Sequence, residues 1–477
     1  MERLRAQDLI TLWPDDVGWP QDIGALAVLD GSRLFDQDGR FRLEAVRTVI
    51  DGRLHLVPRF RQVLHVPRWG LGRPLWVDAA SFDVSHHVQV APVPEPGDEA
   101  RLLEGTEQFR RRRLDRSRPL WEMWFLPGLP GGRVGLYLKV HHVIADGPAA
   151  VAMLGALLDT VPAADPPSGR PWTPAPAPST RDLFEDNLRR RLSTPTRVFK
   201  ACSRPVSTAR RAWRTWRGVR KAFAEGLAPR TSLNRPIGPD RRFTLVRSRL
   251  ELVTEIAHGY DATVNDVLLA AVAGGLRDLL RGRGEPVEDV VLRAYVPVSL
   301  HHEPRDVVQG NLLGGVIVPL PIGVADPGQR LRLIAAATAE RKREGRAQTG
   351  AVARNGVLPR ASVRILARQR LENTYVSNVP GPRAPLSLAG APLLEIFPVV
   401  PLIGNLSLAV GAISYSGQFN VTAISDPASC PDVEAFAHGV SDTLQTLKTS
   451  LSCNRATGTS GGPSLGDSTR VDRPGSP

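Results

Sequence analysis

The chain has 477 residues, of which 42% are hydrophobic and 23% charged, with a formal net charge of +13. These values are ordinary for a soluble globular protein, and the length predicts two domains of about 150–220 residues rather than one core. Cys202, Cys430 and Cys453 are odd in number and widely spaced, which excludes a disulfide framework and a metal-type cysteine cluster.

Glu2, Arg3, Arg5 and Asp8 crowd the start with no apolar segment behind them, so no secretory signal is expected and a cytoplasmic location is. Residues 1–160 alternate strand-like and helix-like stretches. Val134–Val140 has the length and composition of a β-strand. Pro148–Leu158 reads as a buried helix, with Pro148 suited to its first turn. Between them stands His141-His142-Val143-Ile144-Ala145-Asp146-Gly147. Two histidines at a strand-to-helix junction sit where open sheets usually place their chemistry. An imidazole titrates near neutrality, so His142 is the candidate to take a proton from an alcohol and return it. His141, Asp146 and Gly147 are expected to support it. Two other adjacent pairs, His86-His87 and His301-His302, lack the Asp-Gly and are read as packing or surface residues.

A proline-rich break follows, from Val161-Pro162 to Ala177-Pro178, and reads as an exposed linker. Residues 181–230 hold 14 Arg/Lys against 4 Asp/Glu, and 14 − 4 gives +10 of the chain's +13. Within them Trp213, Trp216, Val219 and Phe223 recur at helical spacing between arginines. A basic amphipathic segment with aromatic anchors suits an anionic membrane or lipid surface. Docking of the same stripe on the protein's own core is the competing reading. Nucleic-acid binding is not expected, because no recognised motif accompanies the charge.

A second globular part is predicted over 236–453. Val264–Leu280 reads as a long helix capped by Asn265 or Asp266, with strand-like runs at 290–298, 312–320 and 406–424. Helical composition returns at 329–344 and 432–451. The apolar stretch Ile396–Ile413 contains Pro398, Pro401, Gly404 and Asn405, so buried strands and a loop fit better than a membrane span. From Asn454 to Pro477 the chain is poor in apolar residues and predicts a disordered tail.

Several motifs taken together are specific. They are Pro58-Arg59-Phe60-Arg61-Gln62-Val63-Leu64, Gly72-Arg73-Pro74-Leu75-Trp76-Val77, Phe82-Asp83, and Leu114–Glu122 with its Pro119-Leu120-Trp121. After the histidine motif come Asn265-Asp266, Pro297-Val298-Ser299, Gly310-Asn311 and Ser377-Asn378-Val379-Pro380-Gly381-Pro382. In this order the chain resembles, throughout 1–450, the bacterial wax ester synthase/acyl-CoA:diacylglycerol acyltransferases of the chloramphenicol-acetyltransferase-like superfamily. The resemblance implies an α/β fold of two mixed-sheet subdomains, 1–160 and 236–453, joined by a crossover at 161–235 and packed around a central tunnel. It places His142 midway along that tunnel, as general base for acyl transfer from acyl-CoA to diacylglycerol or a long-chain alcohol. Pro119, Leu120, Trp121, Asn265 and Asp266 would help shape the site, although each also reads as packing or capping. On the lipid-surface reading of the basic segment, Trp213 and Trp216 would meet that surface.

The sequence departs from the family where an arginine is expected after Pro-Val-Ser. His301 stands there, leaving Asp146 to be held by a protonated His301, by another arginine such as Arg293, or less rigidly. No Gly-x-Ser-x-Gly elbow is present and no cysteine has a partner, so a covalent acyl-enzyme is not expected. No metal or redox cofactor is implied, acyl-CoA being the substrate. The alternatives are a weakly active relative that mainly binds lipid surfaces, and a condensation-type acyltransferase.

Overall fold

The computed structural model describes residues 2–68, 71–160, 172–202, 213, 226–299, 313–343 and 367–458. The chain begins with β1 (Glu2–Arg3) and α1 (Ala6–Asp16), then enters a large sheet at β2 (Asp22–Leu29). Helix α2 (Leu43–Arg53) leads to β3 (Gln62–His65) and β4 (Leu75–Asp78), which form a small antiparallel sheet with β1. Then come β5 (Val88–Val90), α3 (Glu99–Arg111), β6 (Trp121–Leu129), β7 (Arg133–His141), α4 (Gly147–Leu157) and α5 (Thr180–Cys202). The second half runs β8 (Arg242–Arg249), α6 (Leu250–Gly259), α7 (Val264–Gly282), β9 (Val291–Ser299), β10 (Leu313–Pro321) and α8 (Pro327–Arg343). It ends with β11 (Thr374–Pro380), β12 (Ser387–Leu388), β13 (Ala391–Val399), β14 (Leu408–Tyr415), β15 (Gln418–Ser425) and α9 (Val433–Gly458).

Two six-stranded mixed sheets organise these elements. The first has the order β12-β13-β2-β7-β6-β5 and the second β10-β9-β11-β14-β15-β8. Strand residues alternate between faces, and the first sheet uses both. Leu136, Leu138, Val140, Met123 and Phe125 pack beneath α2 and α4, while Tyr137, Trp124 and Leu126 pack beneath Leu102 and Phe109 of α3. In the second sheet Leu292, Val296, Val410 and Val421 meet the buried faces of α7 and α9. Helices α7 and α9 approach very closely, because a Cβ on Gly275 would stand 2.5 Å from the Phe436 carbonyl oxygen.

The expected strand before the histidine motif and the expected helix after it form as read, and 406–424 resolves into the antiparallel hairpin β14–β15. Thr263, not Asn265 or Asp266, is the N-cap of α7. Its hydroxyl accepts the Asp266 N–H, and Asp266 closes a capping box from the third helical position. The hairpin β12–β13 crosses the boundary expected at 236. It pairs with β2 in the first sheet, Phe397 opposite Leu26 and Val399 opposite Gly24. Among the described residues, no helix is long and apolar enough to cross a membrane.

Candidate active site

Strand β7 delivers its last residues to two different places. Leu138, Val140 and, just past the strand, His142 face an apolar cavity of about 280 Å³, while His141 faces a separate polar recess on the other side. Backbone bonds hold the turn. The His141 N–H donates to the Leu120 carbonyl at 3.0 Å and the His142 N–H to the Gln21 carbonyl at 2.8 Å. The Ile144 N–H donates to the His141 carbonyl at 2.9 Å.

His141 is used on both ring nitrogens. Its Nδ1 accepts the Val143 N–H at 3.0 Å, which places the proton on Nε2, and Nε2 donates to Asp15 Oδ2 at 2.8 Å. Burial disfavours the Asp15 carboxylate, but hydrogen bonds from His141, the Gln21 N–H and Arg116 outweigh it and lower its pKa. Asp22, opposite His141 in β2, is buried with Lys139, whose Nζ lies 3.4 Å away. Desolvation raises the Asp22 pKa despite the ammonium.

Asp146 is fully buried and acts as the N-cap of α4, its Oδ1 accepting the Ala149 N–H at 3.0 Å. Gly147 follows for a steric reason. A Cβ there would come within 2.9 Å of Val379 Cγ2, so only a glycine lets α4 meet β11 this closely. That contact joins the motif to the second sheet, and the cavity is lined from both. Val151 and Leu154 come from α4, Ile396 and Val399 from β13, and Tyr375 and Ser377 from β11. Tyr375 stacks on Tyr295 with ring centroids 5.9 Å apart. Burial pushes its phenol up to about 12, although a hydrogen bond with Ser377 works the other way.

The remaining sequence candidates lie elsewhere. Pro119 and Leu120 are buried behind the histidine turn, where Leu120 lines the recess that holds Asp15 and His141. Trp121 is fully buried between Phe60 and His87, with both pairs of rings stacked at 4.6 Å, and its Nε1 donates to the Phe60 carbonyl. These three residues support the turn and do not line the His142 cavity. Asn265 is half-buried on α7, and Asp266 accepts the Thr338 hydroxyl at 2.6 Å, tying α7 to α8 away from the cavity. Arg293 lies on β9, where its guanidinium donates to the Gly226 carbonyl. His86 is exposed and His87 packed. Trp213 is 59% exposed. Trp216, His301, His302, Gly310 and Asn311 lie outside the described residues.

The arrangement sets a histidine in the wall of an apolar cavity built by both halves, with Ser377 and Tyr375 as hydroxyl groups of the same wall. Ser377 belongs to a motif noted in the sequence, but strand position alone did not show that it lines the same cavity as His142. Asp15 left no signal, since its bond to His141 spans 126 positions.

Comparison with known proteins gives a consistent result. Residues 4–268 match the wax ester synthase/diacylglycerol acyltransferase catalytic domain, and 309–448 match the C-terminal domain of the same proteins. A probable diacylglycerol O-acyltransferase of Mycobacterium tuberculosis is 32% identical over 444 residues, covering 89% of this chain and 90% of that protein. The wax ester synthase/diacylglycerol acyltransferase from Marinobacter aquaeolei VT8 superposes with a TM-score of 0.65 at 24% identity, covering 94% of this chain and all of that one. The starter condensation domain of rhizomide synthetase, in complex with C8-CoA and Leu-SNAC, gives a TM-score of 0.61 at 15% identity, covering 94% of each chain. The fold is shared with both.

Proposed function

The chain belongs to the wax ester synthase/diacylglycerol acyltransferase family, and we propose that it moves a fatty acyl group from acyl-CoA to diacylglycerol, forming triacylglycerol. One observation carries this reading above the others. His142 stands in the wall of the apolar cavity, whereas both ring nitrogens of His141 are occupied by Asp15 and Val143. A long acyl chain fits walls such as Val151, Leu154 and Ile396.

In the proposed step His142 takes the proton of the acceptor hydroxyl as its oxygen attacks the thioester carbon. The tetrahedral intermediate collapses with cleavage of the C–S bond, and His142 returns the proton to the leaving thiolate. The ester and free CoA result, with no covalent acyl-enzyme and no metal or redox cofactor in the scheme. Ser377, a hydroxyl of the same wall, is the side chain we assign to donate to the developing oxyanion, in place of its hydrogen bond with Tyr375. A long-chain alcohol is a second acceptor within the same chemistry, giving a wax ester. Because diacylglycerol resides in lipid, the enzyme works at the inner face of the membrane or at a lipid droplet, and its +10 segment favours an anionic surface.

The test is acceptor dependence. With long-chain acyl-CoA, thiol release and triacylglycerol formation should rise together as diacylglycerol is added. Thiol release indifferent to any acceptor would identify a thioesterase instead.

A further inference from the structure

Helix α5 has two faces with different partners. Inward, Leu183 is buried and Asp186 Oδ2 receives the Arg3 Nε–H at 2.6 Å, fastening the helix to the first half. Outward, Phe184, Leu188 and Leu192 are 55%, 44% and 66% exposed. Single exposed apolar residues are common on protein surfaces. Three at successive four-residue steps are not scattered, since each step turns only about 40° and stacks them in one stripe. Arg181 and Arg189, exposed and each ion-paired with Glu185, and the exposed Arg191 flank that stripe, while Arg190 pairs with Asp186 on the inward side.

We infer that this face of α5 is the surface by which the protein docks on anionic lipid, with Phe184, Leu188 and Leu192 entering the headgroup–acyl boundary and the bordering arginines meeting lipid phosphates. A stripe of this length matches the shallow burial of an interfacial helix, and cationic side chains around apolar ones complement a negatively charged bilayer. A protein partner would need a complementary acidic groove, and nothing in the charge pattern requires one. The inference deepens the lipid contact in the proposed function and names residues different from Trp213 and Trp216. It stands apart from the chemistry at His142.

Flotation of the full-length protein with vesicles of phosphatidylglycerol and phosphatidylcholine tests it. Binding should require phosphatidylglycerol, weaken with salt, and fall by about tenfold or more in Phe184→Ser/Leu188→Ser/Leu192→Ser. In the wild-type protein, vesicles should also slow amide hydrogen exchange over residues 180–192. Acyl transfer to a short-chain, water-dispersed acceptor should survive in the triple variant, so loss of docking is distinguished from loss of the acyltransferase. Vesicle binding unchanged in the variant would overturn the inference. So would a fall in melting temperature as large as that of a core substitution, which would show that the stripe is covered by the chain itself. Unchanged exchange over 180–192 would overturn it without any variant.

Discussion

The bond between Asp15 and His141 separates the roles proposed for the two motif histidines, His141 and His142. With Nε2–H given to Asp15 and Nδ1 taken by Val143, His141 holds the turn that carries His142. Asp15→Asn should therefore lower kcat by about 10- to 100-fold while leaving KM for acyl-CoA nearly constant, as misplaced catalytic groups do. A proportional rise in KM with kcat unchanged would assign Asp15 to substrate binding. The pair also bears on stability. The Asp15 pKa is depressed in the fold, so its contribution is present above the ordinary carboxylate value of 3.8 and lost as pH falls through the folded value. The stability gap between wild type and Asp15→Asn should close below about pH 4. His87 acts over a higher range. Burial between Phe82 and Trp121 lowers its pKa from 6.5 to about 4, so the fold favours neutral imidazole. Stability from that preference is full above pH 6.5 and is lost as pH falls toward 4, by at most about 3 kcal/mol. His87→Phe should flatten the melting-temperature profile across that window while costing about 1 kcal/mol at pH 8 for the lost bond to the Trp121 carbonyl. An unaltered acid slope would assign the loss to other groups.

Helix α4 and strand β11 approach closely at Gly147 and Val379. Gly147→Ala would place a methyl carbon 2.9 Å from Val379 Cγ2, at a cost of about 1–3 kcal/mol, and would shift the helix that follows His142. Activity should fall, and Val379→Ala in the same chain should restore much of it, because the second change removes the obstructing methyl. A double variant no better than Gly147→Ala would mean that the glycine serves some other purpose. The sequence made much of this junction readable: an apolar strand, a helix opened by Pro148, and a tight Asp-Gly turn each follow from local preference. Which side of β7 each histidine faces also follows, once the strand's end is known, from alternation. The Trp121 stack on Phe60 and the Thr338 bond to Asp266 were not readable, because both depend on contacts between segments 61 and 72 residues apart.

The two halves are completed by each other. The hairpin β12–β13, late in the chain, supplies the edge of the first sheet, and the His142 cavity takes walls from α4, β11 and β13. Polar bonds join them again: the Arg241 N–H donates to Glu107 Oε1 at 2.8 Å, and Arg110 donates to the Pro239 carbonyl at 2.6 Å. Expressed alone, residues 1–235 would leave the backbone of β2 unpaired on its β13 side, an edge prone to association. That fragment should aggregate, and co-expression with 236–477 should recover soluble, active protein. A monodisperse, folded 1–235 fragment would show that the first half needs no partner strand. Sequence patterning marks strands well but says little about which sheet takes them, since β13 has the same apolar alternation whichever neighbour it pairs with.

The proposed mechanism rests on His142, alone among the motif residues, moving the proton. The most direct measurement is kcat for acyl transfer to diacylglycerol in His142→Ala and His141→Ala, each with its circular dichroism and melting temperature. His142→Ala should remain folded and be slower by about 10²–10⁴, the usual contribution of a general base, whereas His141→Ala should lose less activity and also lose stability. A folded His142→Ala protein that transfers acyl groups at near the wild-type rate would contradict it.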